Sequence, residues 1–114
     1  MGLVVNNRAM VATSGGADSP PFLMAGTNSA YATMLVTGYN GTGTPQLSAD
    51  IYQSNDGANW VLVGSSSTPA NTTVGDVVTK DSGVAIGAAW CLVRAKCNSG
   101  FTVEITLNVN TSQR

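Results

Sequence analysis

Phe101-Thr102-Val103-Glu104-Ile105-Thr106-Leu107-Asn108-Val109-Asn110 is the stretch that decides the fold class. Its odd-numbered positions are all apolar and its even-numbered positions all polar. Successive side chains of a strand point to opposite faces, so this two-residue period describes a strand with one face on a core. Just upstream, Asn98-Ser99-Gly100 has tight-turn composition, and Ala89 to Cys97 reads as the partner strand of a hairpin. Further back, Gln46 to Ser54 places Leu47, Ala49 and Ile51 on one face. There Asn55-Asp56-Gly57-Ala58-Asn59 turns the chain, and Trp60 to Val63 returns.

The rest of the chain follows the same style. Tyr31 to Thr37 reads as a strand closed by a flexible loop from Gly38 to Pro45, with Tyr39 in the loop. Val74 to Thr79 is another strand, and Val84 to Ile86 begins a further one or stands alone. Leu3 to Val5 and Ala9 to Thr13 suggest edge strands. No segment has sustained helical periodicity with caps. About seven or eight short strands in one chain of this size predict an all-β fold, a two-sheet antiparallel β-sandwich of immunoglobulin-like or jelly-roll type. The expected layout is an N-terminal arm or edge strand over 1–13, a Gly/Pro-containing linker over 14–21 and a sandwich body over 22–114.

With 114 residues the chain fits one domain that can bury a core without staples. Its charged fraction is 10%, against roughly 25% in an average soluble domain, so Ser, Thr, Asn and Gly must build the surface. A net charge of −1 puts up little repulsion between copies, which favours a subunit of an assembly. Phosphate binding needs clustered cations, and Arg8, Lys80, Arg94, Lys96 and Arg114 are too few and too scattered for a nucleic-acid surface. The start lacks the basic and long apolar regions of a secretion signal, and no apolar run reaches membrane-spanning length. A membrane partner is therefore not expected.

Cys91 and Cys97, the two cysteines, lie on one phase of one predicted strand. Six residues of strand separate them by roughly 20 Å, and a disulfide needs Cα atoms within about 7 Å. They are expected as buried free thiols. Without His, and with no close Cys pair, no metal site or cofactor is expected. The same lack of His removes the commonest general base. Asp18, Asp56 and Asp81 sit in turn-forming contexts, while Asp50 and Glu104 fall on the polar phase of strands. No nucleophile or phosphate-cradle motif occurs, so the chain reads as a non-enzyme. Tyr31, Tyr39, Tyr52, Trp60 and Trp90 are candidate sugar-stacking rings, with Trp60 and Trp90 read first as core or interface anchors, and they leave a carbohydrate-binding module as the alternative function.

Ser54-Asn55-Asp56-Gly57-Ala58-Asn59-Trp60 resembles the Asp-box turn of sialidase-type propellers, shortened by one residue and present once. The order Tyr52 to Trp60, Trp90 to Ala95, Phe101 to Val109 resembles small β-sandwich virion proteins of tailed phages, of the capsid decoration or cement type. This second resemblance implies a structural virion protein that forms a symmetric homo-oligomer, a trimer being favoured, and binds a capsid or shell protein. On that reading Leu3, Val4, Val5 and Met10 of the arm, with Tyr39 and Trp90 as anchors, make the contacts between subunits.

Overall fold

The computed structural model of the chain describes residues 2–63 and 69–113. Within them run ten strands: β1 (Gly2–Ala12), β2 (Ala17–Asp18), β3 (Phe22–Leu23), β4 (Ser29–Asn40), β5 (Gln46–Ser54), β6 (Val61–Leu62), β7 (Ala70–Asn71), β8 (Val77–Asp81), β9 (Trp90–Cys97) and β10 (Thr102–Ser112). They form two antiparallel sheets packed face to face, the expected all-β sandwich. One sheet has the order β1-β10-β4-β8. In the other, β9 and β5 are central, with β2 and β3 successively on the β9 side and β6 and β7 on the β5 side.

The core follows the two-residue phase. Val103, Ile105, Leu107 and Val109 of β10 point inward beside Ala30, Ala32, Met34 and Val36 of β4. The facing sheet contributes Leu47, Ala49 and Ile51 from β5 and Cys91, Val93, Ala95 and Cys97 from β9. The alanines Ala30, Ala32, Ala49 and Ala95 share this core with the larger Met34, Leu107 and Ile51. Phe22, Met24, Val63 and Ile86, from short strands and loops, close the ends of this core.

Several sequence expectations change here. The chain after β9 does not fold back as a hairpin. Instead, β9 pairs with β5, β2 and β3, and residues 98–101 cross to the other sheet, where β10 pairs with β1 and β4. Both strands bury their odd-numbered residues, a pattern that fixes the buried face but not the neighbour. The two predicted N-terminal strands are one, bent by a bulge at Asn7, whose φ is 47°. Val5 and Ala12 of this strand are buried, so residues 2–12 form an edge strand of the sandwich, the second of the two forms expected for this segment. Residues 14–21 are pinned too: Ala17 and Asp18 pair with β9, and buried Ser19 exchanges hydrogen bonds with the Val93 backbone. Tyr39 belongs to β4, which runs on to Asn40 where a loop was expected. Gly41 then passes so close to Phe101 that a Cβ there would lie 2.4 Å from the ring. Val84 to Ile86 is a loop, with Ile86 plugging the core.

Candidate functional site

Register places three distinct surfaces on the molecule. The outer face of the β1-β10-β4-β8 sheet is read directly from its pairings. One row across it is Ala9, Thr106, Leu35, Val77. Beside it, Thr79, Thr33 and Asn108 line up, and Asn108 is bridged to Asn7 by two hydrogen bonds. A third row is Leu3, Asn110, Tyr31, Asp81. Among the described residues, charge appears on this face at its margins, as Asp81 and Glu104. Arg8 and Lys80 pair with the inward-facing Leu107 and Ala32, so they belong to the opposite phase. Leu3, Tyr31, Leu35 and Val77 are each more than 40% exposed.

The outer face of the second sheet differs in kind. Asp18, Arg94 and Asp50 form one cross-strand row, and Lys96 pairs with Ser48 next to it. Arg94 donates to both carboxylate oxygens of Asp18, at 2.7 and 3.2 Å, and lies 4.6 Å over the Tyr52 ring. The Asp18 hydrogen bond, foremost, holds the guanidinium more firmly charged than usual. Asp50 has no solvent exposure at all, although it sits on the outward phase. Lys96 Nζ approaches its Oδ2 to 2.7 Å, yet neither carboxylate oxygen gains a well-aligned hydrogen bond among the described residues.

A groove at the end of the sandwich is the third surface. It consists of two adjoining clefts of about 440 and 560 Å³ that share Asn55, Gly87 and Ala88. One wall is the β5–β6 turn, which the sequence located correctly. Ser54 Oγ receives the amides of Asp56 and Gly57, and Asp56 Oδ1 receives those of Ala58 and Asn59. Gly57 supplies the left-handed conformation, with φ 75°. These bonds, the Asn59 amide first, hold the Asp56 carboxyl far below the usual carboxylate range. A carboxylate with a depressed folded value stabilises above about pH 4, its unfolded value, and that contribution is lost as acid titrates the folded group. The Asp-box-like motif is therefore a structural turn. Asp56→Ala is expected to raise amide hydrogen exchange at Ala58 and Asn59 by about tenfold while leaving β10 protected. Unchanged exchange at both amides would contradict this role.

The sequence-predicted interface residues separate. Leu3 and Val4 are exposed, at 49% and 38%. Val5 is buried in the core and cannot make an intersubunit contact without unfolding β1. Met10 and Tyr39 are half-buried against the core, and Tyr39 packs on Phe101 with ring centroids 6.5 Å apart. Trp90 is half-exposed on the charged sheet's outer face, paired with Ser54 and Leu23, far in register from the arm residues. Thr33, Leu35 and Val77 were not singled out by sequence reasoning, yet the pairing puts them at the centre of the uncharged face. Cys91 and Cys97 are free and buried; desolvation pushes the Cys91 thiol up to about 11.

No family model matches the chain, and none of the curated proteins matches it. Among solved structures it is similar to the N-terminal CBM22-1 and GH10 modules of a Clostridium thermocellum endo-1,4-beta-D-xylanase, crystallised with xylohexaose. That likeness has a TM-score of 0.56 at 12% sequence identity and covers 100% of this chain and 25% of that one. The chain thus spans a quarter of the xylanase chain's length, and the likeness is one of fold.

Proposed function

We propose that the chain is a non-catalytic structural subunit that associates with copies of itself and with the protein shell of a larger particle, as capsid decoration proteins of tailed phages do. The observation that carries this reading is the outer face of the β1-β10-β4-β8 sheet, whose centre among the described residues is uncharged, with Asp81 and Glu104 at its margins. Covering that centre desolvates hydroxyls, amides and methyls, which can pair across an interface, and leaves the two carboxylates at the solvated rim. Three strands of about 36 Å and the five-residue β8, at about 4.8 Å spacing, give roughly 600 Å². That approaches the about 800 Å² that each partner contributes to a standard interface. β1 adds an eleven-residue edge paired on one side only, a template for a neighbouring strand.

Light scattering of the purified protein over a concentration series tests this. The wild type is expected as a discrete oligomer, and Leu35→Arg, which plants a charge at the centre of the face, as a monomer with an unchanged fold. A wild type that stays monomeric at every concentration would count against self-association.

A second reading is that the chain binds glycans. Its support is the fold likeness to a xylanase chain that carries a carbohydrate-binding module and was crystallised with a xylo-oligosaccharide. Half-exposed Trp60, Trp90 and Tyr52 supply surfaces on which sugar rings stack.

A further inference from the structure

The two clefts at the sandwich end include none of the residues named on the outer face of the β1-β10-β4-β8 sheet and have no part in the assembly reading. We infer that together they form one binding groove for a neutral, hydroxyl-rich ligand, a linear oligosaccharide without acidic sugars. The inference rests on the second reading and gives it a place and a ligand class.

The first argument is chemical. The polar groups of the first cleft come from Gln53, Asn55 and Asn59, with Asp56 beside them. Asn28 adds a fourth amide residue in the second cleft. A side-chain amide carries both donors and acceptors, which is what a sugar hydroxyl presents in return, and the Asn59 amide keeps its carbonyl while its Nδ2 donates to Asp56. Both carboxylate oxygens of Asp56 are already engaged, with Ala58 and Asn59 on Oδ1 and the Asn59 side chain on Oδ2. Among the described residues, no Lys or Arg lines either cleft. Among them an anionic ligand would find no cation, and a cationic one would find only a carboxylate already in use.

The second argument is mechanical. The floor is the segment 82–89, tied to the 24–30 segment by three backbone hydrogen bonds: Ser82 to Ala30, Ile86 to Asn28 and Met24 to Ala89. Buried Ile86 anchors it from beneath. One wall is the turn locked by Ser54 and Asp56. The opposite wall contains Ala25, a non-glycine residue held at φ 49°. Such strain persists only where surrounding contacts over-determine it, and it concentrates at ligand sites. A groove built this way loses little freedom on binding.

Size agrees. Each cleft falls within the roughly 300–1,000 Å³ range of small-ligand sites. Trp60 and Trp90 follow the lining residues Asn59 and Ala89 in sequence, and neither indole is itself among the lining residues.

Gly87 provides a clean block. A Cβ built on it meets nothing within 4 Å, and its backbone is outside the left-handed region. Gly87→Leu therefore adds bulk at a residue shared by both clefts, at a position whose backbone and Cβ space accept a side chain. The test is titration calorimetry, with tryptophan fluorescence in parallel, using xylohexaose, cellohexaose, maltohexaose and hexagalacturonate. At least one neutral hexamer is expected to bind, and Gly87→Leu and Asn55→Ala are each expected to weaken it by about tenfold or more. Binding that survives Gly87→Leu but disappears in Tyr52→Ala would overturn the groove and leave glycan recognition on the charged sheet face. Preference for hexagalacturonate would overturn the ligand class. No binding by any of the four sugars would sink both the groove and the reading beneath it, whatever the oligomeric state.

Discussion

Replacing Leu107 by Ala is expected to lower the unfolding free energy by about 3 kcal/mol, whereas Leu35→Ala should change it by less than about 0.5 kcal/mol. Both residues lie in the central strands of the same sheet, on β10 and β4, and both are leucines. They differ in phase. Leu107 has no solvent exposure and faces the β5–β9 layer, with Met34 its cross-strand neighbour. Deleting its isobutyl group removes apolar contact and leaves a cavity that a close-packed core cannot fully collapse. Leu35 is 41% exposed on the outer face beside Thr106 and Val77. Its truncation removes contacts already half in water. For a domain of this size the Leu107 effect corresponds to a fall in Tm of roughly 10–20 °C. Urea unfolding of both variants, at a concentration where the chain is monomeric and with unchanged m-values, checks the pair. Equal losses in the monomer would mean that Leu35 is packed against the core and not on the outer phase.

That contrast bears on what the sequence could disclose. The inward phase of β10 is legible because a central strand with one solvated face keeps its alternation intact. The β5–β6 turn is legible because Asp56 and Gly57 impose a local geometry that needs no tertiary information. What was lost is everything decided by pairing at a distance. Cys91 to Cys97 and Val103 to Val109 carry the same alternation, so the turn-like Asn98-Ser99-Gly100 suggests a hairpin between them. Only packing shows that the chain there changes sheets. Phe22 and Ala17 were hidden in a Pro- and Gly-rich stretch because two-residue strands have no period to detect. Leu35 and Val77 looked like ordinary strand residues, since an apolar side chain on the outer phase is visible only once the phase is known. The groove was out of reach for a similar reason: its walls come from three separate segments, and no local motif unites Asn28, Asn55 and Gly87.

The burial of Asp50 on an outward-facing phase leads to the second large effect. Lys96→Met is expected to cost about 2 kcal/mol, while Asp50→Val should cost less than about 1 kcal/mol or stabilise slightly. A carboxylate withdrawn from water is tolerable when a cation sits against it, and Lys96 Nζ at 2.7 Å is that cation. Arg94 is the cross-strand neighbour of Asp50, but its guanidinium is committed to Asp18. Removing the lysine therefore leaves an ion with no aligned hydrogen bond among the described residues and no nearby charge free to replace it. The expected loss is set below the about 3–5 kcal/mol of a fully buried pair because the Lys96 side chain is 36% exposed and already partly hydrated. Removing the carboxylate has the opposite consequence: the ammonium turns to solvent, and a β-branched side chain suits the strand it leaves behind. The double variant Asp50→Val/Lys96→Met should then recover most of the stability lost in Lys96→Met alone. A cycle measured by urea unfolding decides this. If Asp50→Val proves as costly as Lys96→Met, Asp50 is held by interactions beyond the lysine, and the ion pair is not what keeps that carboxylate in the fold.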